Sequence, residues 1–115
     1  MYKPFHLIGM ELSISVLSAA LRNEPTGQSR EMRGTVAAVA KRDLKRGERL
    51  DGEGGYTVWG KALPAARAAH ALPIGLAHDV TLTRDVARGE MLRLSDTDIA
   101  EDDVLTLYRT ALAPA

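Results

Sequence analysis

Apolar and polar positions follow two different periods along the chain, and the change falls close to residue 27. Between Phe5 and Arg22, polar residues recur at spacings of four, three and four, while apolar residues fill most other positions; the polar residues are Glu11, Ser15, Ser18 and Arg22. Such spacing follows one face of an α-helix. Pro4 suits a first helical turn, and a natural stop is formed by Asn23, Pro25 and Gly27. The pattern therefore predicts a helix from Phe5 to Arg22.

This helix is apolar over most of its circumference, so we expect it to be buried from several sides. Two interpretations stay open: it is the central helix of the domain's own core, or it is a docking surface for a partner or a catalytic domain. A secretion signal or membrane span is not indicated, because Glu11 interrupts the apolar part and its longest run is far shorter than the about 20 residues of a span.

Beyond a polar segment with Pro and Gly, residues 23–33, the pattern changes to short β-segments bounded by Gly, Pro or Asp. The predicted strands cover residues 34–41, 49–52, 56–63, 72–77, 79–84 and 90–94. Residues 64–72 are alanine-rich and predict a short helix. The last segment places carboxylates before an apolar helical face of Val104, Leu107, Tyr108 and Ala111, which predicts a C-terminal helix capped by Ser95 or Asp98.

One short sequence occurs twice. The stretch RDLKRGERL at residues 42–50 recurs as RDVARGEML at residues 84–92, with six of nine positions identical and no gap. In each copy we expect a strand that ends at Arg-Asp, an inward apolar residue (Leu44 or Val86) and a tight turn whose glycine (Gly47 or Gly89) takes positive φ. Two equivalent hairpins predict a compact β body with an internal pseudo-twofold axis.

The repeat also carries a family resemblance. AKRDLKRGERL, then LPIGLAHDVTLTRDVARGEML followed by SDTDI, resembles an SAF domain, the β-clip module related to type III antifreeze proteins. The resemblance implies a mainly β fold with flanking helices and an internal pseudo-twofold repeat, preceded by the apolar N-terminal helix. Residues 1–27 would form the docking helix and linker, and residues 28–115 the SAF domain with its C-terminal helix.

Two further stretches narrow the resemblance. GGYTVWGKALPA and YKPFHLIGMELSISVLSAALRNEPTG resemble the C-terminal end of SAF-containing, homoserine-dehydrogenase-like NAD(P)-dependent oxidoreductases, which include deoxyxylulose-phosphate-reductoisomerase-like enzymes. In that family the nucleotide fold and catalytic residues precede the matched region. The resemblance implies an accessory module that assembles with, or caps, a substrate site and does not itself transfer hydride. Its partner would be the catalytic domain or, through the N-terminal helix, a second copy. The alternative is a free-standing SAF ligand-binding or chaperone-like protein of the sugar-acid or flagellar-assembly type.

The amino-acid composition disfavours several classes of protein. Fifteen basic and fifteen acidic residues give a net charge of zero, which disfavours nucleic-acid or anionic-membrane binding by bulk electrostatics. Cysteine is absent, so neither disulfides nor thiolate metal sites are expected, and a cytoplasmic location is the default expectation. The 26% of charged residues disfavours an antifreeze-like structural protein.

The motifs that would carry catalysis or bind a cofactor or metal do not match their templates. In the glycine-rich stretch, residues 52–60, Thr57 stands where the dinucleotide fingerprint needs its third glycine. The acidic cluster at residues 96–103 lacks the glycine of a calcium loop and has Ala100 at a ligand position. The three histidines have no paired ligand spacing. We therefore predict no catalytic, cofactor-binding or metal-binding residue in this chain.

Five residues remain as candidates for ligand binding or an interface. His6 lies in the apolar helix, where the resemblance would place it near a catalytic domain. Arg42 and Arg84 occupy matching places in the repeat and suit a small carboxylate or phosphate, although pairing with a local acid is the competing interpretation. Tyr56 and Trp59 flank a predicted strand interior and are expected to share a face, in the core, at an interface or against a ligand.

Overall fold

The computed structural model describes residues 4–27 and 31–112, and the chain divides between residues 30 and 31 into two compact units. The N-terminal unit is helical. Helix α1, Ile8–Leu17, continues as a π-helical turn, Ser18–Arg22, and Asn23 ends it in the left-handed conformation with φ of 52°. The helix thus begins three residues later than predicted and ends at the predicted residue.

The C-terminal unit contains two small antiparallel sheets. Strand β1, Gly34–Ala40, pairs with β3, Val58–Pro64, in continuous register from Gly34 opposite Pro64 to Ala40 opposite Val58. Strand β2, Arg49–Asp51, pairs with β4, His78–Thr81, across a register irregularity. Single turns of 3-10 helix occur at Ala65–Arg67, Ile74–Leu76 and Leu94–Asp96, and α2, Asp103–Leu112, follows the last of them.

The prediction of a mainly β fold holds only in part. About 32% of the described residues are helical and 27% are in strands, so the described part of the chain is mixed α/β. Two predicted strands do not form ladders: residues 74–76 turn as a 3-10 helix after Pro73, and residues 90–94 make only the isolated bridges of Met91 to Val39 and Arg93 to Ala71. The predicted helix at residues 64–72 is reduced to one 3-10 turn.

The hydrophobic core lies entirely in the C-terminal unit. Its buried members are Ala38, Ala40, Leu44, Leu50, Val58, Leu72, Ala77, Leu82, Val86 and Leu92. Both copies of the repeat contribute matching residues, Leu44 with Val86 and Leu50 with Leu92. Helix α1 buries none of its residues. The C-terminal unit therefore has a core that does not depend on α1, as an independently folding domain requires.

The two copies of the repeat, Arg42–Leu50 and Arg84–Leu92, form what we call the paired turns, and they exchange equivalent hydrogen bonds. The Leu44 N–H donates to the Val86 carbonyl at 2.9 Å, and the Val86 N–H donates to the Leu44 carbonyl at 3.0 Å. Gly47 and Gly89 donate to Leu82 and Ala40, which also lie 42 positions apart, at 2.8 and 2.9 Å. The backbone of each turn is thus held by the other half of the unit.

Replacing Gly47 or Gly89 with Val is expected to destabilise the C-terminal unit by about 1–3 kcal/mol. Their φ angles are +85° and +82°, as predicted, and an added Cβ would meet no atom within 4 Å, so the cost is conformational rather than steric. Gly75→Val is the control, because Gly75 has the same open surroundings without positive φ. Thermal melts measure the effect, and a parental melting temperature for both turn variants would contradict it.

Candidate functional site

The charged side chains of the paired turns are engaged with one another. Arg42 pairs with Glu48, and at the matching position Arg84 pairs with Glu90 at 2.7 Å. The second carboxylate oxygen of Glu48 accepts from the Lys45 N–H at 3.1 Å. The Arg42 guanidinium and the Lys45 N–H lower the pKa of Glu48 below its ordinary value. Each glutamate therefore closes its own turn.

Aspartates connect the two turns. Asp43 accepts from the Arg88 N–H at 2.8 Å, and Asp85 accepts from the Arg46 N–H at 2.8 Å. Asp85 also accepts from the Lys45 ammonium at 2.9 Å. The Arg46 N–H and the Lys45 ammonium together lower the pKa of Asp85. Because Arg42 and Arg84 are themselves paired with Glu48 and Glu90, the structure supports the local-acid interpretation of these two arginines over an anion site.

Arg84 has a partner that Arg42 lacks. Its Nε and Nη2 donate to the two oxygens of Asp96 at 2.7 and 2.8 Å, and the Asp96 side chain is only 7% exposed. The Arg93 N–H donates to the same carboxylate at 2.8 Å. Burial opposes ionisation of Asp96, but the hydrogen bonds from Arg84 and Arg93 outweigh it and lower the pKa. The pair ties the second turn to the segment that follows it.

The interpretation of the acidic cluster as charge at the start of a helix is correct for its last members and wrong for its first. Asp103 lies in the first turn of α2, whereas Asp96 and Asp98 bind other groups. Asp96 is buried against Arg84, and Asp98 accepts from the Thr81 N–H at 2.6 Å. The first turn of α2 is capped by Asp102, whose carboxylate accepts from the Leu105 N–H at 2.9 Å. Ser95 and Asp98, the predicted caps, precede the helix by several residues. One face of α2 also differs from prediction, since Leu105 is buried while Val104 is exposed.

The glycine-rich stretch is organised around a carboxylate. Asp51 accepts from the N–H groups of Tyr56 and Thr57 at 2.6 and 3.0 Å, and from the Thr57 hydroxyl. These bonds, with that of the Thr57 hydroxyl the largest, lower the pKa of Asp51 to about 2. A Cβ on Gly55 would lie 2.2 Å from the Asp51 carboxyl carbon, so glycine is required for this close approach. The stretch connects β2 to β3.

Replacing Asp51 with Asn is expected to make unfolding less pH-dependent between about pH 4 and pH 2. The folded-state pKa of about 2 lies below the ordinary value of 3.8. The Asp51 carboxylate therefore binds a proton more strongly in the unfolded chain than in the folded one. Its contribution to the stability of the fold is fully present above the unfolded-state pKa and is lost as the pH falls through the folded-state pKa. Urea unfolding across this range measures it, with Glu53→Gln in the same loop as control. If the free energy of unfolding depended on pH in the Asp51 variant as it does in the parent, the lowered pKa assigned to Asp51 would be refuted.

The two aromatic candidates are exposed. Tyr56 is 86% exposed and Trp59 is 45% exposed, whereas Thr57 and Val58 between them are buried. Strand β3 begins only at Val58, so Tyr56 lies in the preceding loop. Their exposure removes the core interpretation and leaves an interface or ligand stacking.

His6 precedes α1 rather than lying within it. The side chain is exposed, and its Nδ1 lies 3.5 Å from a carboxylate oxygen of Glu11. Within residues 4–27 and 31–112, no three His, Asp or Glu side chains come close enough to hold a metal ion. The five candidate residues lie on separate elements: His6 in the N-terminal unit, Arg42 and Arg84 in the paired turns, Tyr56 in the loop before β3, and Trp59 in β3 itself.

The most apolar exposed feature is α1 with its flanking residues. We call it the apolar helix surface: Leu7, Ile8, Met10, Leu12, Ile14, Val16, Leu17 and Leu21, each between 45% and 77% exposed. The core of the C-terminal unit is built without this helix, and none of the residues of α1 is buried. Contiguous exposed apolar surface on this scale is typical of interaction sites, so the docking interpretation remains.

Sequence reasoning missed a cleft of about 790 Å³ beside α2, which we call the C-terminal cleft. It is lined by residues 69–70, by most of residues 93–99, and by Glu101 and Arg109. The volume falls within the usual range of small-molecule sites. The repeat contains one sequence signal for this region. When the alignment of the two copies is continued by one position, Arg93 stands opposite Asp51, so the charge at this position differs in sign between the copies.

No protein-family model matches this chain, and no curated protein matches it either. Among the described residues, neither helix has the length and apolar character needed to cross a membrane. The geometry of the chain itself is therefore the basis for a functional proposal.

Proposed function

We propose that this chain is a non-catalytic accessory module: a β-clip SAF domain that follows a docking helix and belongs to an NAD(P)-dependent oxidoreductase of the homoserine-dehydrogenase-like type. The docking role rests on the apolar helix surface, and the proposed family rests on the sequence resemblance. A helix without burial in its own domain needs a partner to remove eight large apolar side chains from water. The module would act in assembly or in capping a substrate site, in the cytoplasm.

The paired turns support a structural role for the SAF domain. Arg42 and Arg84 are held in local pairs with Glu48 and Glu90, and the two copies exchange backbone hydrogen bonds. Groups held in this way stabilise the unit, whereas a general acid or base needs a proton-accepting or proton-donating atom directed at a substrate. Hydride transfer would belong to the catalytic domain that the family resemblance implies, together with the NAD(P) cofactor.

The partner of the helix is proposed to be that catalytic domain or, in its absence, a second copy of this chain. A free-standing SAF protein that binds a small ligand is the second candidate. The C-terminal cleft favours this candidate, because it offers a concave surface with mixed polar and apolar lining.

The chain by itself is expected to bind neither NAD nor NADP. A dinucleotide site needs a glycine-rich turn from a strand into a helix, with the pyrophosphate at the helix N-terminus. Here the glycine-rich loop leads from one strand, β2, to another, β3, and the Asp51 carboxylate occupies its centre. Isothermal titration calorimetry with each cofactor tests this, and a micromolar Kd for either one would overturn the accessory-module proposal.

A further inference from the structure

We propose that the C-terminal cleft binds a small organic anion, with Arg93 contacting the carboxylate or phosphate group and Leu94 and Ile99 contacting the apolar body. This site lies in the C-terminal unit and does not depend on the docking role of α1.

The backbone around Arg93 is fixed from three directions. Arg93 forms an antiparallel bridge with Ala71, and its N–H donates to Asp96 at 2.8 Å. The next N–H, of Leu94, donates to the His70 carbonyl at 3.0 Å, which joins the two segments that line the cleft. Asp96 is held in turn by the bidentate contact from Arg84. The backbone of the site therefore needs no rearrangement when a ligand arrives, and the ordering cost is limited to the Arg93 side chain.

The charges of the cleft favour an anion. Glu101 is the carboxylate in its lining, and it is neutralised by a two-point contact with Arg109, one bond of which measures 2.9 Å. Arg93, by contrast, forms no ion pair with any carboxylate in the part of the chain that the structure describes. The Arg93 charge helps to lower the pKa of Asp96, but the oxygens of that carboxylate are held by Arg84 and by the Arg93 N–H. The Arg93 guanidinium is therefore without a direct carboxylate contact, in a concave site where it can bind an oxyanion in bidentate fashion.

The other lining groups indicate what the anion would be attached to. Leu94 and Ile99 are half-buried and pack against the core, so they offer an apolar wall. Ser95 is exposed in the lining, and its hydroxyl suits a second contact to an oxyanion. The Thr97 hydroxyl is used internally, since it donates to the Leu94 carbonyl at 3.0 Å. A small ligand with one oxyanion group and one apolar group fits this set.

The test is a nuclear magnetic resonance titration of the full-length, ¹⁵N-labelled chain with phenyl phosphate and, separately, with benzoate. Saturable shifts are expected at residues 93–99 with at least one probe, at a Kd in the millimolar range or tighter, given the small size of the probes. Arg93→Gln is expected to weaken the binding about tenfold or more. The stronger of the two probes identifies phosphate or carboxylate as the preferred group.

The matched control is Arg46→Gln, which removes the same charge from a paired turn, outside the cleft lining. Its side chain is exposed, and the hydrogen bond to Asp85 is donated by its backbone N–H, so the fold is expected to be unchanged. Unchanged affinity in Arg93→Gln, or an equal loss in both variants, would overturn the site. So would the absence of saturable shifts at the cleft with both probes. A spectrum preserved away from residues 93–99 shows that the Arg93 variant remains folded.

Discussion

Replacing Arg84 with Gln is expected to lower the free energy of unfolding by about 1–3 kcal/mol, whereas Arg42→Gln is expected to have the smaller effect of breaking an exposed ion pair. The two arginines occupy the same position in the repeat, so the internal symmetry supplies the control. Both pair with the glutamate of their own turn. Only the partner set of Arg84 includes the Asp96 carboxylate, which is almost entirely withdrawn from water.

The difference between the variants arises from what the mutation leaves behind. Without Arg84, the charge of Asp96 stays in its buried place with only the Arg93 N–H as a strong donor. A buried charged acceptor that loses its partner keeps its full desolvation cost. Without Arg42, Glu48 is closer to solvent and still accepts from the Lys45 N–H at 3.1 Å. Water can then hydrogen-bond to the Glu48 carboxylate and replace much of the interaction lost with Arg42.

Urea unfolding of the two variants measures the difference directly. Asp96→Asn in the Arg84→Gln background provides a second check, because removing the stranded charge should recover part of the stability, so that the two losses do not add. Equal destabilisation by Arg84→Gln and Arg42→Gln would mean that Asp96 contributes nothing beyond a surface ion pair. Fully additive losses in the double variant would lead to the same conclusion.

Replacing Ile14 with Asp is expected to weaken self-association through α1 by about ten- to a hundredfold, the equivalent of burying one large aliphatic side chain. Ile14 lies at the middle of a seam with spacings of three and four that is typical of helix pairing, formed by Leu7, Met10, Ile14, Leu17 and Leu21. Each of these side chains is between 45% and 77% exposed. A charge in the seam would have to be desolvated in any paired state.

Ser15→Asp is the matched control, since it adds the same charge to the same helix one position outside the seam. Its hydroxyl makes one exposed hydrogen bond, with Thr26 at 3.4 Å, so little is lost by the change. Multi-angle light scattering over a range of concentrations compares the two variants with the parent. Equal assembly of the Ile14 variant and the parent would exclude the seam as an interface, and equal disruption by both variants would indicate a general effect of charge.

Local signals in the sequence predicted the elements whose structure is decided locally. Glu11, Ser15 and Arg22 mark the period of the N-terminal helix, which the structure contains from Ile8 onward. The repeated Arg-Gly-Glu triplet predicted two glycines with positive φ, and both have it. These features depend on residues close together in the chain, so the pattern is sufficient to specify them.

Features that depend on distant residues were not predicted. The sequence pattern at residues 72–77 is compatible with a strand and with a buried turn. In the structure the Ala38 N–H donates to the Leu72 carbonyl, and the chain then turns after Pro73, so contacts with a distant strand determine the conformation. In the sequence, Asp96 is one of several carboxylates that precede a predicted helix. In the folded structure its carboxylate oxygen lies 2.7 Å from Nε of Arg84, twelve residues earlier in the chain. The role of Arg93 depends on a cleft that no local pattern encodes.

Sedimentation velocity of the full chain, compared with a chain that begins at Gln28, tests the docking role of α1 most directly. The shorter chain retains the whole core of the C-terminal unit, so it is expected to fold and to sediment as a monomer. The full chain is expected to self-associate at micromolar concentrations, because the apolar helix surface has no cover within its own domain. A full chain that stays monomeric at high micromolar concentration, or a shorter chain that assembles equally well, would contradict the proposal that α1 is the docking element.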